Sequence, residues 1–118
     1  MIESIEIKEV CIEEAIRVHK NVIEFDDLNP SKDFFENRYK DSEKVIIVAY
    51  YKKLPIGYMI GYDEFKDNKQ NFYCWMAGVD YKYRRKGALT KLMDYLIKWA
   101  KKQGYKNLRI KTRNKCRG

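Results

Sequence analysis

Apolar residues recur along this chain with two periods, and the switches between them outline its elements. At 2–8, Ile5 and Ile7 alternate with Ser4 and Glu6, the period-two pattern of a strand. From about 10 to 25 the spacing lengthens: Ile12, Ala15, Ile16, His19 and Ile23 share one face of a helix. Asp26-Asp27-Leu28-Asn29-Pro30 interrupts it, with Asn29 suited to cap a second helix and Pro30 to its first position. Phe34, Phe35 and Tyr39 give that helix its apolar side. KVIIVAYY (44–51) reads as a buried strand, 52–55 as a turn, and IGYMIGYDEF (56–65) as the return strand. Gly57 and Gly61 within it predict bulges or close approaches. NFYCWMAGV (71–79) carries no charge and predicts another buried strand. After a basic turn at 80–86, Leu89, Leu92, Met93, Leu96 and Ala100 mark a helix face, and Gly104 stands where a left-handed C-cap belongs. NLRIKT (107–112) then alternates as a strand. A connecting helix requires it to run parallel to 71–79. The order is β-α-α-β-β-β-α-β, a mixed α/β sheet in a single domain spanning 1–118.

Charge changes the picture more than composition does. Residues 1–81 sum to −5, whereas 82–118 sum to +13, so the basic character lies almost wholly on the last helix and its flanks. Such a field draws in an anion, either a phosphorylated small molecule or a nucleic acid. Lys91, Lys98, Lys101 and Lys102 read mostly as a solvated helix face. The aromatics Phe72, Tyr73 and Trp75 sit in an uncharged stretch that reads as core, not as an exposed base-stacking platform, so no specific nucleic-acid partner is expected. No apolar run reaches the length of a membrane span, and the acidic start MIESIEIKEVCIEE is not a signal peptide. Cys11, Cys74 and Cys116 are widely spaced and odd in number; no metal-binding spacing occurs, and free thiols in a reducing cytoplasm are the plain reading.

The point of chemical interest is Gly87. It opens a helix immediately after Arg84, Arg85 and Lys86. The first N–H groups of a helix lack intrahelical partners, the helix dipole is positive there, and a glycine lets a phosphate approach the backbone. Three adjacent cations complete a predicted phosphate site.

At these residues the chain resembles the GNAT family of acetyl-CoA-dependent N-acetyltransferases. The family motif, Arg/Gln-x-x-Gly-x-Gly/Ala after a strand ending in Val, matches Arg84-Arg85-Lys86-Gly87-Ala88-Leu89 preceded by Gly78-Val79. Leu89 departs from it. Its place in the apolar stripe with Leu92 and Leu96 suggests that its side chain faces the sheet. The hairpin VAYYKKLPIGYMIGY also resembles the family's second and third strands. The resemblance implies acetyl-CoA as co-substrate and a primary amine as acceptor, on a small molecule or a peptide. It implies that Ala77, Gly78 and Val79 bond the pantetheine arm and that the turn through Arg84, Arg85, Lys86, Gly87, Ala88, Leu89 and Thr90 holds the pyrophosphate. Glu24, Asp26 and Asp27 would lie on the acceptor wall. The family continues with a further helix and two strands, so the domain is expected to be C-terminally truncated, with a homodimer or a missing fragment covering the edge of the last strand. A partial domain that binds coenzyme A or a partner without turnover is the alternative; a small basic nucleic-acid-binding protein is the second.

No residue stands out as catalytic. Asp63 or Glu64 is positioned to act as a base through water, Asp80 reads as shaping its turn, and Cys74 reads as a small buried residue more than as a nucleophile. His19, on its helix stripe, reads as a satisfied, partly buried histidine.

Overall fold

The computed structural model describes residues 5–20, 32–80, 82–83 and 87–110. Five strands and three helices follow in the predicted order: β1 (Ile5–Glu9), α1 (Ile12–His19), α2 (Lys32–Arg38), β2 (Lys44–Tyr51), β3 (Leu54–Tyr62), β4 (Asn71–Val79), α3 (Ala88–Gln103) and β5 (Asn107–Ile110). The expected cap at Asn29 and Pro30 lies outside the described residues, as do Glu24, Asp26 and Asp27.

The sheet runs β1-β2-β3-β4-β5. Its first four strands pair antiparallel, and β5 joins β4 in parallel, as a helical connection demands. The uninterrupted apolar run of β2 reflects burial on both faces. Val45, Ile47 and Ala49 enter one core with Leu92, Leu96 and Ala100 of α3, while Ile46 and Val48 enter a second with Ile12, Ala15 and Val18 of α1 and Phe35 of α2. The molecule is thus three layers, α3 on one face of the sheet and α1 with α2 on the other.

The β2–β3 turn is tighter than expected. Lys52 and Lys53 both have positive φ (52° and 70°), the two-residue geometry that suits strand twist, and β3 already begins at Leu54. Pro55 is accommodated because the register slips there: Ala49 faces Gly57 and Tyr50 faces Pro55, leaving Ile56 as the extra residue of a bulge. The strand ends at Tyr62, not at residue 65, since the chain turns at Asp63, which accepts a hydrogen bond from the Lys66 N–H.

Gly57 sets where α3 lies. A Cβ there would stand 3.1 Å from the Gly78 carbonyl and Val79 Cγ2 and 3.4 Å from Leu92 Cδ1. The helix packs that closely against β3, beside the end of β4. Gly61 serves a similar purpose further along the same core: a Cβ would meet Phe72 Cε2 at 2.5 Å.

Candidate active site

The site begins with a fault in the sheet. β3 pairs with β4 from Gly57 to Tyr62, but Ile60 faces Met76 while Gly61 faces Cys74, so Trp75 is the extra residue of a bulge in β4. A bulge bends its strand and re-aims its side chains. Here Trp75 and Met76 both turn toward the α1/α2 face. The β4–β5 ladder is described for Asn71–Cys74 opposite Asn107–Ile110, the last described residue of β5. Among the described residues, 76–79 pair on the β3 side, and no described strand covers the other edge of Ala77, Gly78 and Val79.

Asp80 anchors the chain where it leaves β4. The Asp80 N–H donates to the Ile56 carbonyl at 2.7 Å, the Asp80 carboxylate accepts from the Lys82 N–H at 3.0 Å, and its carbonyl accepts from the Tyr83 N–H at 2.8 Å. Asp80 thus shapes the turn, as its sequence position suggests. Arg84, Arg85 and Lys86 lie outside the described residues.

Gly87 resumes the chain at φ +80°, ψ 17°, a left-handed conformation that L side chains rarely adopt. A Cβ placed on it would meet no heavy atom of the described residues within 4 Å, so the space before it is open. The first bond inside α3 runs from the Lys91 N–H to the Gly87 carbonyl, which leaves the N–H groups of Ala88, Leu89 and Thr90 without a carbonyl of the helix to reach. The first turn of α3 contains no acidic residue to compete for them.

One expectation here is corrected. Leu89 does not face the sheet: it is 51% exposed, and Ala88 is fully buried in its place. The core stripe of α3 is Ala88, Leu92, Leu96 and Ala100, a strict four-residue spacing. Leu89 is one position, about 100° of helix, past it. With Thr90, also exposed, it stands at the open side of the glycine turn.

The acetyltransferase (GNAT) family model matches residues 10–115. The chain belongs to the GNAT family. A search of curated proteins finds no sequence match. Among solved structures, this GNAT domain is similar in fold to an aminoglycoside acetyltransferase, meta-AAC0020, from an uncultured soil metagenomic sample, with TM-score 0.74 and 16% identity over 95% of this chain and 80% of that one. The ribosomal-protein-alanine N-acetyltransferase of Brucella melitensis biovar Abortus 2308 gives TM-score 0.70 and 18% identity, covering 94% and 82%. AAC(6')-Iy, determined with a CoA bisubstrate analogue, gives 0.70 and 12%, covering 96% and 82%.

In this GNAT domain the residues weighed for chemistry fall into separate places. Cys74 is buried, and burial pushes its thiol up to about 12, so it carries no thiolate near neutral pH. Asp63 is corrected as a base: one oxygen accepts from the hydroxyl of Tyr105, a residue of the α3-side core, at 3.1 Å and the other from the Lys66 N–H. His19 is a core residue, its Nδ1 2.7 Å from the Tyr58 hydroxyl oxygen. Phe72 and Tyr73 are buried, which removes them as stacking surfaces for a base. Glu64 stays on the α1/α2 face, where it accepts from the Tyr62 hydroxyl at 3.2 Å.

Two features of the site escaped the sequence reading. One is the bulge at Trp75, for which Gly61 on the neighbouring strand was the only hint. The other is the aromatic group that the bulge assembles: Trp75 packs with Phe34, Phe35 and Tyr62 at centroid distances of 5.9, 5.6 and 5.8 Å, and the Arg38 guanidinium sits 5.4 Å above its ring. Phe34, expected on the apolar side of α2, is 49% exposed there.

Proposed function

We propose that this domain is an N-acetyltransferase that uses acetyl-CoA to acetylate a primary amine. The observation that carries the reading is the coincidence, toward the C-terminal end of β4, of a bulge at Trp75 and an open left-handed glycine starting α3. A pantetheine arm needs an unpaired strand edge to bond, and a pyrophosphate needs free N–H groups and positive charge. The residues present fit both requirements. Ala77, Gly78 and Val79 would hold the arm; Gly87, Ala88, Leu89 and Thr90 would hold the pyrophosphate, with Arg84, Arg85 and Lys86 supplying charge. Bound there, acetyl-CoA supplies the acetyl group as an activated thioester.

The protein's part is mainly to position the two reactants and to exclude alternatives. Backbone N–H groups beside the bulge are the donors available to an oxyanion. Glu64 is the carboxylate on the acceptor face that can take a proton through water, because an amine must be neutral to attack. The solved structures that share the fold include enzymes named for aminoglycosides and for a ribosomal protein's alanine, so the fold leaves the acceptor open.

A thermal-shift titration tests the reading. Ligand binding to the folded state stabilises it by about 2.7 kcal/mol at a hundredfold excess over Kd. Acetyl-CoA should raise Tm progressively, and release of free thiol in the presence of amine should then show turnover. Absence of any shift at millimolar acetyl-CoA would defeat the assignment. A shift without turnover on any amine would leave a coenzyme-binding module instead.

A further inference from the structure

We propose that the acceptor amine also bears a carboxylate, which Arg38 recognises, while Trp75 and Phe34 seat its carbon framework. The inference rests on the acetyl-transfer reading above. Phe34 and Arg38 are four residues apart, so α2 presents both on one face, directly over the residue that the bulge turns outward. Arg38 is exposed yet held. Its Nε donates to the Tyr62 hydroxyl at 3.1 Å, and its plane lies over Trp75. That leaves its terminal nitrogens in a fixed orientation. Among the described residues no carboxylate comes within ion-pair distance of it; Glu64 is linked to it only through Tyr62. A guanidinium held against an aromatic ring, with no ion pair among the described residues, presents the planar fork that matches a carboxylate. It also repels a polycation. The half-buried Trp75 and the exposed Phe34, tilted 36° to each other, give an apolar body a surface beside the strand edge where the thioester is assigned. Likeness of fold to aminoglycoside acetyltransferases therefore does not extend, on this reading, to their acceptors.

The test compares three acceptors on the full chain: an aromatic dipeptide with free carboxylate, its C-terminal amide, and an aminoglycoside. The free carboxylate form should have kcat/KM above the amide by about tenfold or more, the ratio supported by one hydrogen bond between charged partners. The aminoglycoside should be poorest. Arg38→Gln should abolish the preference by raising KM for the carboxylate form alone, with the amide form and coenzyme affinity unchanged; Arg38→Lys should restore part of it. Equal use of amide and carboxylate, preference for the aminoglycoside, or a loss in Arg38→Gln that affects both dipeptides alike would overturn the proposal. Calorimetry with coenzyme A separates the two levels. A wild-type protein that binds coenzyme but shows no carboxylate preference sinks this inference alone, and one that binds no coenzyme sinks the acetyl-transfer reading with it.

Discussion

Gly87→Glu separates the phosphate site from the fold. The open surroundings of Gly87 mean that a side chain meets no described atom, so the folding cost is the left-handed backbone alone. For an L residue that is about 1–2 kcal/mol. In a domain of this size it lowers Tm by about 4–8 °C. Binding should suffer far more. A carboxylate placed ~5 Å from one phosphate charge, at an effective dielectric of ~20, repels it by about 3 kcal/mol. Physiological salt screens part of this, but a pyrophosphate brings two charges, so Kd for coenzyme A should rise by about a hundredfold or more. Gly87→Asn is the control, because Asn tolerates the left-handed region and adds no charge. It should melt near the wild type and keep measurable affinity. Calorimetry and thermal melting on the three proteins read both quantities. If folded Gly87→Glu binds coenzyme A within about threefold of wild type, less than 1 kcal/mol, the phosphate does not sit at this turn. If it fails to fold, the space before Gly87 is not open.

Two further predictions concern the scaffold. Gly61→Ala would put a methyl 2.5 Å from Phe72 Cε2, and Phe72 is fully buried with Trp99 and Tyr105 at 5.1 and 4.7 Å. Urea denaturation should show a loss of about 1–3 kcal/mol, greater than for Gly57→Ala, whose nearest contacts are 3.1 Å; equal losses would contradict the packing argument. The second follows from His19, whose pKa burial holds below the ordinary 6.5. The unfolded chain then binds the proton more readily, so stability should be constant above neutrality and fall as pH drops below about 6.5. His19→Gln should flatten the slope between about pH 6.5 and 5, above the ordinary carboxylate range, and an unchanged slope would remove His19 as its cause.

Element order, the limits of β2 and β4, and the left-handed glycine that ends α3 were legible because each depends on local chemistry. An apolar run of eight or nine residues has few alternatives to a buried strand, and a glycine after an amphipathic stripe has few alternatives to a cap. The start of α3 at Gly87 was legible for the same reason, since a glycine precedes the amphipathic stripe. The phase of α3 was not. Leu89 belongs to the apolar periodicity as well as Ala88 does, but the helix seats tightly over Gly57 and the end of β4, where the small Ala88 is buried and Leu89 turns out. Asp63 could not be judged from its neighbours either, since its partner Tyr105 is 42 residues away.

By itself, then, the sequence determined the strands and helices, their order and the parallel pairing of β5. The tertiary structure alone decided the bulge at Trp75 and the gathering of Arg38, Tyr62 and Phe34 around the displaced tryptophan. A bulge is a mismatch of register between two strands, and register is a relation between segments that neither segment encodes alone.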